Sequence, residues 1–243
     1  MEQTDNCIEV KNLKKVYHGR TVVDSLSFTV KRGEVFGLLG HNGAGKSTTI
    51  ETMLGLKRAD AGIAKILGKD ATKERKALFE RVGVQLQASG YQDNISVREV
   101  CEEMQVLYRR PADYRELLEQ FKLSGLTRQR VGRLSGGERQ KLSVVLALIG
   151  RPEIVFLDEL TTGLDTAARR EVWKTLRQLQ KGGTTLFLTT HYMEEAENLC
   201  DRLLLLKNGK KVVEGTVKEV IAGSPCQTLE EAYLWYMGEE IEE

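Results

Sequence analysis

The stretch Gly40 to Thr48, GHNGAGKST, limits what this chain can fold into more than any other. It fits the spacing G-x-x-x-x-G-K-[ST] and follows directly on the apolar run Val35, Phe36, Gly37, Leu38, Leu39. A turn built from Gly40, His41, Asn42, Gly43, Ala44 and Gly45 lets backbone N–H groups converge on phosphate oxygens, because Gly43 and Gly45 keep side chains out of the way. Lys46 would then reach the terminal phosphates as a point charge and the Ser47 hydroxyl would ligate Mg2+. The helix-forming run Ser47 to Leu54 would point its positive end at the anion. Four fixed positions recur by chance in roughly one chain per hundred of this length, so the flanks decide. A buried strand before the glycines and a helix after them are the context such a loop needs, and they imply a nucleoside triphosphate site.

A length of 243 residues allows one large domain or a domain with an inserted lobe. With 41% hydrophobic and 29% charged residues the composition is that of an ordinary globular chain. Lysine and arginine number 36 against 35 acidic residues, a net charge of +1, so no nucleic-acid footprint covers the chain and no nucleic acid is expected as a partner. No apolar run approaches the ~20 residues of a membrane-spanning helix, and MEQTDNCIEV lacks the charged-then-apolar layout of a signal peptide. The expected location is the cytoplasm. Cys7, Cys101, Cys200 and Cys226 are scattered without a C-x-x-C pair and read as reduced apolar fillers, not as a zinc site or disulfide framework.

Along the chain, Ile8, Val10, Leu26, Phe28 and Val30 alternate as half-buried antiparallel strands do, with Tyr17 in the turn region. Gly62 to Leu67 reads as a short strand, Lys73 to Arg81 as a charged helix, and Val82 to Gln87 as a core strand ending in glutamine. Ser96 and Glu99 form a capping box opening a helix to about Arg109. Pro111 begins a second helix with an apolar face of Tyr114, Leu117, Leu118 and Phe121. Residues 88–150 thus form a helical lobe inserted into an α/β core of residues 1–87 and 151–243. Beyond it come the buried run Ile154 to Leu157, a helix from Thr166 to Lys181, a strand from Thr185 to Thr189 and a helix from Met193 to Leu199. This alternation implies parallel βαβ crossovers. Asn208-Gly209 is a two-residue hairpin signal, and the tail ends in a helix from Leu229 to Met237.

Asp158 and Glu159 close the third apolar run. A carboxylate at the tip of a buried strand beside a phosphate-binding loop is where a Mg2+ ligand belongs, which assigns Asp158 as the metal partner of Ser47. Glu159 beside it can polarise the attacking water as a general base or positioning group. A second anion nest follows from Leu134 to Glu138, where Ser135, Gly136 and Gly137 offer N–H groups at a helix start.

That run is the LSGG signature, and with it the whole chain resembles a single nucleotide-binding domain of the ABC ATPase family. The resemblance implies a P-loop NTPase (RecA-like) α/β core with an N-terminal antiparallel β region and an inserted α-helical subdomain. It implies ATP as substrate, Mg2+ as cofactor, and a homodimer in which the signature of one subunit covers the ATP on the P-loop of the other. Tyr17 matches the aromatic that stacks on adenine, and Gln87 the glutamine that reaches Mg2+ and the attacking water, with Gln85 as the competing candidate. Leu164 and Asp165 match the loop that crosses to the partner, and His191 the histidine that contacts the γ-phosphate. The catalytic set is therefore Lys46, Gln87, Glu159 and His191, with Ser47, Gln87 and Asp158 as metal ligands.

Three positions depart from the family pattern. His41 stands where proline is frequent, Glu138 where glutamine is common, and Leu160 where proline usually follows the catalytic glutamate, which removes a restraint on the loop to Asp165. RGEVFGLLG, the step from His191 to MEEAENLCDR and the tail TLEEAYLWYMG look most like the ATPase subunits of type-two ABC exporters. This implies a separate membrane permease, attachment to the inner face of the cell membrane through it, and a docking groove lined by Ser89 to Asn94. The alternative is an ABC ATPase without a membrane partner, serving cluster assembly, ribosomes or DNA. A monomeric kinase or GTPase is disfavoured by the signature and by the lack of an N-K-x-D motif.

Overall fold

Strands β1 (Asn6–Tyr17) and β2 (Arg20–Lys31) form because apolar residues alternate along both, and Ile8, Val10, Leu26, Phe28 and Val30 are all buried. Their antiparallel pairing closes at Tyr17 and Arg20 through His18 and Gly19, both at positive φ (47° and 79°), as a hairpin with the right-handed twist requires. β3 (Val35–Leu39) is buried at every position, the pattern of a strand covered on both faces. α1 (Lys46–Met53) follows the glycine-rich turn, and β4 (Ala61–Ile66) joins the free edge of β1 to complete a three-stranded sheet in the order β2-β1-β4. A short helix, α2 (Arg75–Phe79), comes next. The computed structural model describes residues 5–86, 90–92 and 94–239. The chain divides into two units, one made of the residues up to Leu78 together with those from Phe187, the other of Phe79–Leu186.

In the second unit, β5 (Val82–Gln85) is followed by α3 (Val97–Gln105), α4 (Tyr114–Gln120) and α5 (Gly136–Leu148). β6 (Ile154–Asp158) then runs parallel to β5, with Val82 opposite Ile154 and Gln85 opposite Leu157. A side chain at Gly83 would collide with the Ala147 carbonyl oxygen, so glycine there lets α5 lie directly on the strand. The Ser96–Glu99 capping box is present in both directions. α6 (Thr166–Lys181) starts at Asp165, whose Oδ1 accepts from the Ala168 N–H at 2.8 Å.

The chain returns to the first unit along β7 (Thr185–Thr190) and continues through α7 (Met193–Leu199) to β8 (Arg202–Lys207), which is parallel to β3. β9 (Lys210–Gly215) pairs antiparallel with β8 across Asn208 and Gly209, both at positive φ (50° and 77°). α8 (Val217–Ala222) and α9 (Leu229–Met237) complete the fold. Phe28, Phe36 and Phe187 form the aromatic centre of this unit, with ring centroids 5.4 to 6.0 Å apart.

Several boundaries differ from the sequence expectation. The second lobe helix begins at Tyr114, not at Pro111, because the Ala112 N–H is committed to the Ile149 carbonyl and Asp113 takes the capping position. α3 stops at Gln105 instead of near Arg109. Leu107 and Tyr108 form tighter three-residue turns there, and the Tyr108 ring packs against Gly150. β5 ends at Gln85, where its pairing with β6 ends, instead of running to Gln87. α2 is shorter than Lys73 to Arg81, and α8 was not anticipated although Thr216 and Glu219 spell its capping box.

Candidate functional site

The glycine-rich loop from Gly40 to Gly45 joins β3 to α1, and its three glycines have different work. A Cβ on Gly40 would lie 2.5 Å from the Leu206 carbonyl oxygen, and one on Gly45 (φ 107°) would lie 2.6 Å from that of Val22. These two are glycine because β8 and β2 press on the loop. Gly43 (φ 85°) has nothing within 4 Å of its Cβ position, so its face is open to a ligand. The sequence reading gave Gly43 and Gly45 one reason, but Gly45 is explained by packing. The loop is braced further by the β8–β9 turn, where the Gly209 N–H donates to the Ala44 carbonyl at 2.9 Å and the Gly209 carbonyl accepts from Asp24 N–H at 2.9 Å. Sequence reasoning missed this brace. Asn208-Gly209 signalled a hairpin, but nothing in it signalled contact with a loop far earlier in the chain.

Lys46 is buried, and its Nζ donates to the Gly40 carbonyl at 2.8 Å and to that of His41 at 3.2 Å. The ammonium thus arches back over its own loop. Ser47 and Thr48 lie in the first turn of α1, both half-buried. The ring of His41 donates from Nδ1 to the Asn42 carbonyl at 2.7 Å, which sets the protonated nitrogen and ties the side chain to its own loop. Left-handed glycines, an open face and a buried lysine at a helix start fit an anion of the phosphate class. Tyr17 ends β1 half-buried, with the Lys15 and Lys57 ammoniums 5.0 and 5.4 Å from its ring centroid. His191 follows β7 directly, and its ring lies 4.2 Å from that of Tyr192.

In the second unit Asp158 is the last residue of β6 and is buried. Glu159 follows in the left-handed region (φ 49°), a conformation that costs a residue with a side chain of this size on the order of 1–3 kcal/mol. Its carbonyl accepts from Gln140 Nε2 of α5 at 3.4 Å and from the Thr162 N–H at 3.2 Å. The loop closes with the Leu164 N–H on the Thr161 carbonyl at 3.1 Å, and the buried Leu160 side chain fills the position where the family favours proline. Gln87 lies outside the described residues. Gln85 is buried, donates to the Leu86 carbonyl at 3.1 Å, and leaves Oε1 without a hydrogen-bond partner.

Ser135 caps α5, and the capping box is reciprocal: Ser135 Oγ accepts from the Glu138 N–H at 3.2 Å while Glu138 Oε2 accepts from the Ser135 N–H at 2.7 Å. The Ser135 N–H and hydroxyl hold the Glu138 carboxyl below the usual carboxylate range. Gly136 has nothing within 4 Å of its Cβ position, whereas a Cβ on Gly137 would come 3.0 Å from Leu164 Cδ2. The second signature glycine is therefore set against the loop that leads to Asp165.

Residues 23–162 match the family model described as ABC transporter. The chain belongs to the ABC transporter family. Members of this family that bind ATP are ATPases, and this chain is one of them, an α/β P-loop NTPase domain with an antiparallel β region and an inserted set of helices. Among its ABC relatives, a Nod factor export ATP-binding protein I of Burkholderia orbicola (strain AU 1054) is 40% identical over 229 residues, covering 92% of this chain and 75% of that protein. A daunorubicin resistance ATP-binding protein of Streptomyces coeruleorubidus is 40% identical over 223 residues, covering 90% of this chain and 71% of that one. A solved ATP-binding subunit of an ABC transporter superposes with a TM-score of 0.87 at 27% identity, covering 95% of this chain and 99% of that structure.

Proposed function

We propose that this ATPase powers export through a separate membrane permease, working as a homodimer that encloses two ATP molecules at the inner face of the membrane. The observation that supports the reading is that Gly43 of the glycine-rich loop and Gly136 of the signature both have open space at their Cβ positions, as two candidate anion nests in one chain would need. The relatives named for export and for drug resistance support the direction of transport. Among the described residues no helix is long and apolar enough to cross a membrane.

In this proposal the loop amides and Lys46 hold the β- and γ-phosphates, and Tyr17 stacks on adenine. Ser47, Gln87 and Asp158 would hold Mg2+, their oxygen donors suiting a hard cation that would supply neutralisation of phosphate charge. Glu159 takes the proton of the attacking water as its oxygen bonds to the γ-phosphorus and the bond to the β–γ bridging oxygen breaks. His191 donates to the γ-phosphate. Ser135, Gly136 and Gly137 of the partner subunit close the site.

The permease is assigned to a groove of about 420 Å3 in the second unit, lined among others by Val84, Gln85, Tyr91, Met104, Tyr108 and Leu146. Val106 and Leu107, next to its Met104 and Tyr108 walls in sequence, are 83% and 70% exposed, an apolar pair that a docked helix would cover. Gly90 and Tyr91 of the expected segment line the groove, while Ser89 and Asp93 lie outside the described residues.

The shared site is tested by mixing. A Lys46→Ala homodimer and a Ser135→Arg homodimer each contain two defective sites, but a mixed dimer concentrates both lesions in one site and restores the other. Phosphate release measured across mixing ratios is expected to peak near equal amounts. A flat profile in a mixture shown to contain heterodimer would reject a shared site that works singly.

A further inference from the structure

The C-terminal end of α4, the middle of α5 and the middle of α6 line an open-sided cavity of about 280 Å3. None of its lining residues belongs to the P-loop, the signature or the Asp158–Asp165 loop. Its floor is apolar, with Phe121 and Val172 buried. Its walls carry three lysines, Lys122, Lys141 and Lys174, against a single carboxylate, Glu171. Glu171 receives both Lys122 and Lys141, the latter at 3.5 Å, and Lys122 followed by Lys141 keeps its carboxyl below the usual range. One negative charge is thus divided between two ammoniums. Lys174 has no ion-pair partner among the described residues, so the lining is left with two positive charges in excess. The Lys141 side chain is only 15% exposed, and an ammonium so far out of water needs more than half of one carboxylate. Gln178 adds amide donors at the rim.

We propose that this cavity binds a compact multivalent oxyanion of the carboxylate or phosphate type, held by Lys122, Lys141 and Lys174 over the Phe121–Val172 floor. Several negative charges on a small frame answer the excess that a monovalent anion would leave. A volume of this size admits a small metabolite and not a polymer. The ligand would bridge α5 to α6, with the lysines engaging it as charged donors.

Trp173, buried between two lining residues of α6, reports on the cavity once Trp235→Phe has removed the other of the two tryptophans. Trp173 emission is titrated at constant ionic strength with citrate in one arm and inorganic pyrophosphate in the other. Both arms use a Lys46→Ala background, so that the P-loop contributes little. At least one arm is expected to saturate with half-saturation at or below about 1 mM. Lys141→Met is expected to weaken that arm by about tenfold or more, and Lys174→Gln by roughly threefold. The arm that saturates separates carboxylate from phosphate ligands. Absence of saturation in both arms, or an unchanged half-saturation in the lysine variants, overturns the proposal. Should Lys141→Met fail to fold, Lys174→Gln, an exposed position, decides alone.

Discussion

At residue scale the chain places its candidate base on strained backbone. Glu159 holds a positive φ one residue past a fully buried strand, and its carbonyl is pinned by Gln140 and the Thr162 N–H. Such a conformation persists only where its surroundings over-determine it, and it aims the carboxylate independently of the strand's alternation. Replacing Glu159 with Gln keeps size and backbone but removes the proton acceptor. ATP binding is expected to persist while hydrolysis falls by ~100-fold or more, read as phosphate release beside a nucleotide-binding titration. Turnover at the wild-type rate would take Glu159 out of the role. The candidate residues Lys46, Ser47, Asp158 and Glu159 were legible in the sequence because each sits at a fixed offset from a short pattern. The different duties of Gly43 and Gly45 were not legible, because they depend on β2, which is distant in the chain.

At the scale of the element, α5 carries its own anion at the start. The Glu138 carboxylate takes the Ser135 N–H, so the candidate nest at the signature is part-filled by a negative charge from within. In Glu138→Gln an amide oxygen still completes the capping box, but the charge is gone from the helix N-terminus. A dipole interaction of this kind is worth about 0.3–1 kcal/mol. The ATP concentration for half-maximal hydrolysis is therefore expected to fall roughly two- to fivefold, and an unchanged or higher value would show that Glu138 does not oppose the incoming phosphate. The same carboxylate sets a pH dependence. Its folded value is depressed, so its contribution to stability is complete above the ordinary carboxylate range and is lost as pH falls through the depressed value. Denaturant unfolding of wild type and Glu138→Gln should differ at neutral pH and converge in acid.

For the whole molecule, the groove proposed to take the permease yields a separable prediction. Met104 lines it and stands apart from the nucleotide motifs, so Met104→Glu should leave the ATPase of the isolated subunit within about twofold while abolishing transport and co-purification of a membrane partner. Retained transport would move the docking surface elsewhere. The amino-acid sequence alone specifies what is encoded at short range: β3 and β6 as continuous apolar runs, and the start of α3 from its capping box. The Asn208-Gly209 hairpin and the positive-φ turn at Gly43 and Gly45 were legible in the same way. It misplaced the start of α4 because the Ala112 N–H is taken by Ile149, a partner that no local pattern around Pro111 reveals. Long-range packing sets Gly209 against the P-loop, brings Gly137 to Leu164, and gathers Lys122, Lys141 and Lys174 around one cavity. Those relations join segments distant in the chain. Steric fit and charge excess between such segments exist only after packing has brought them together.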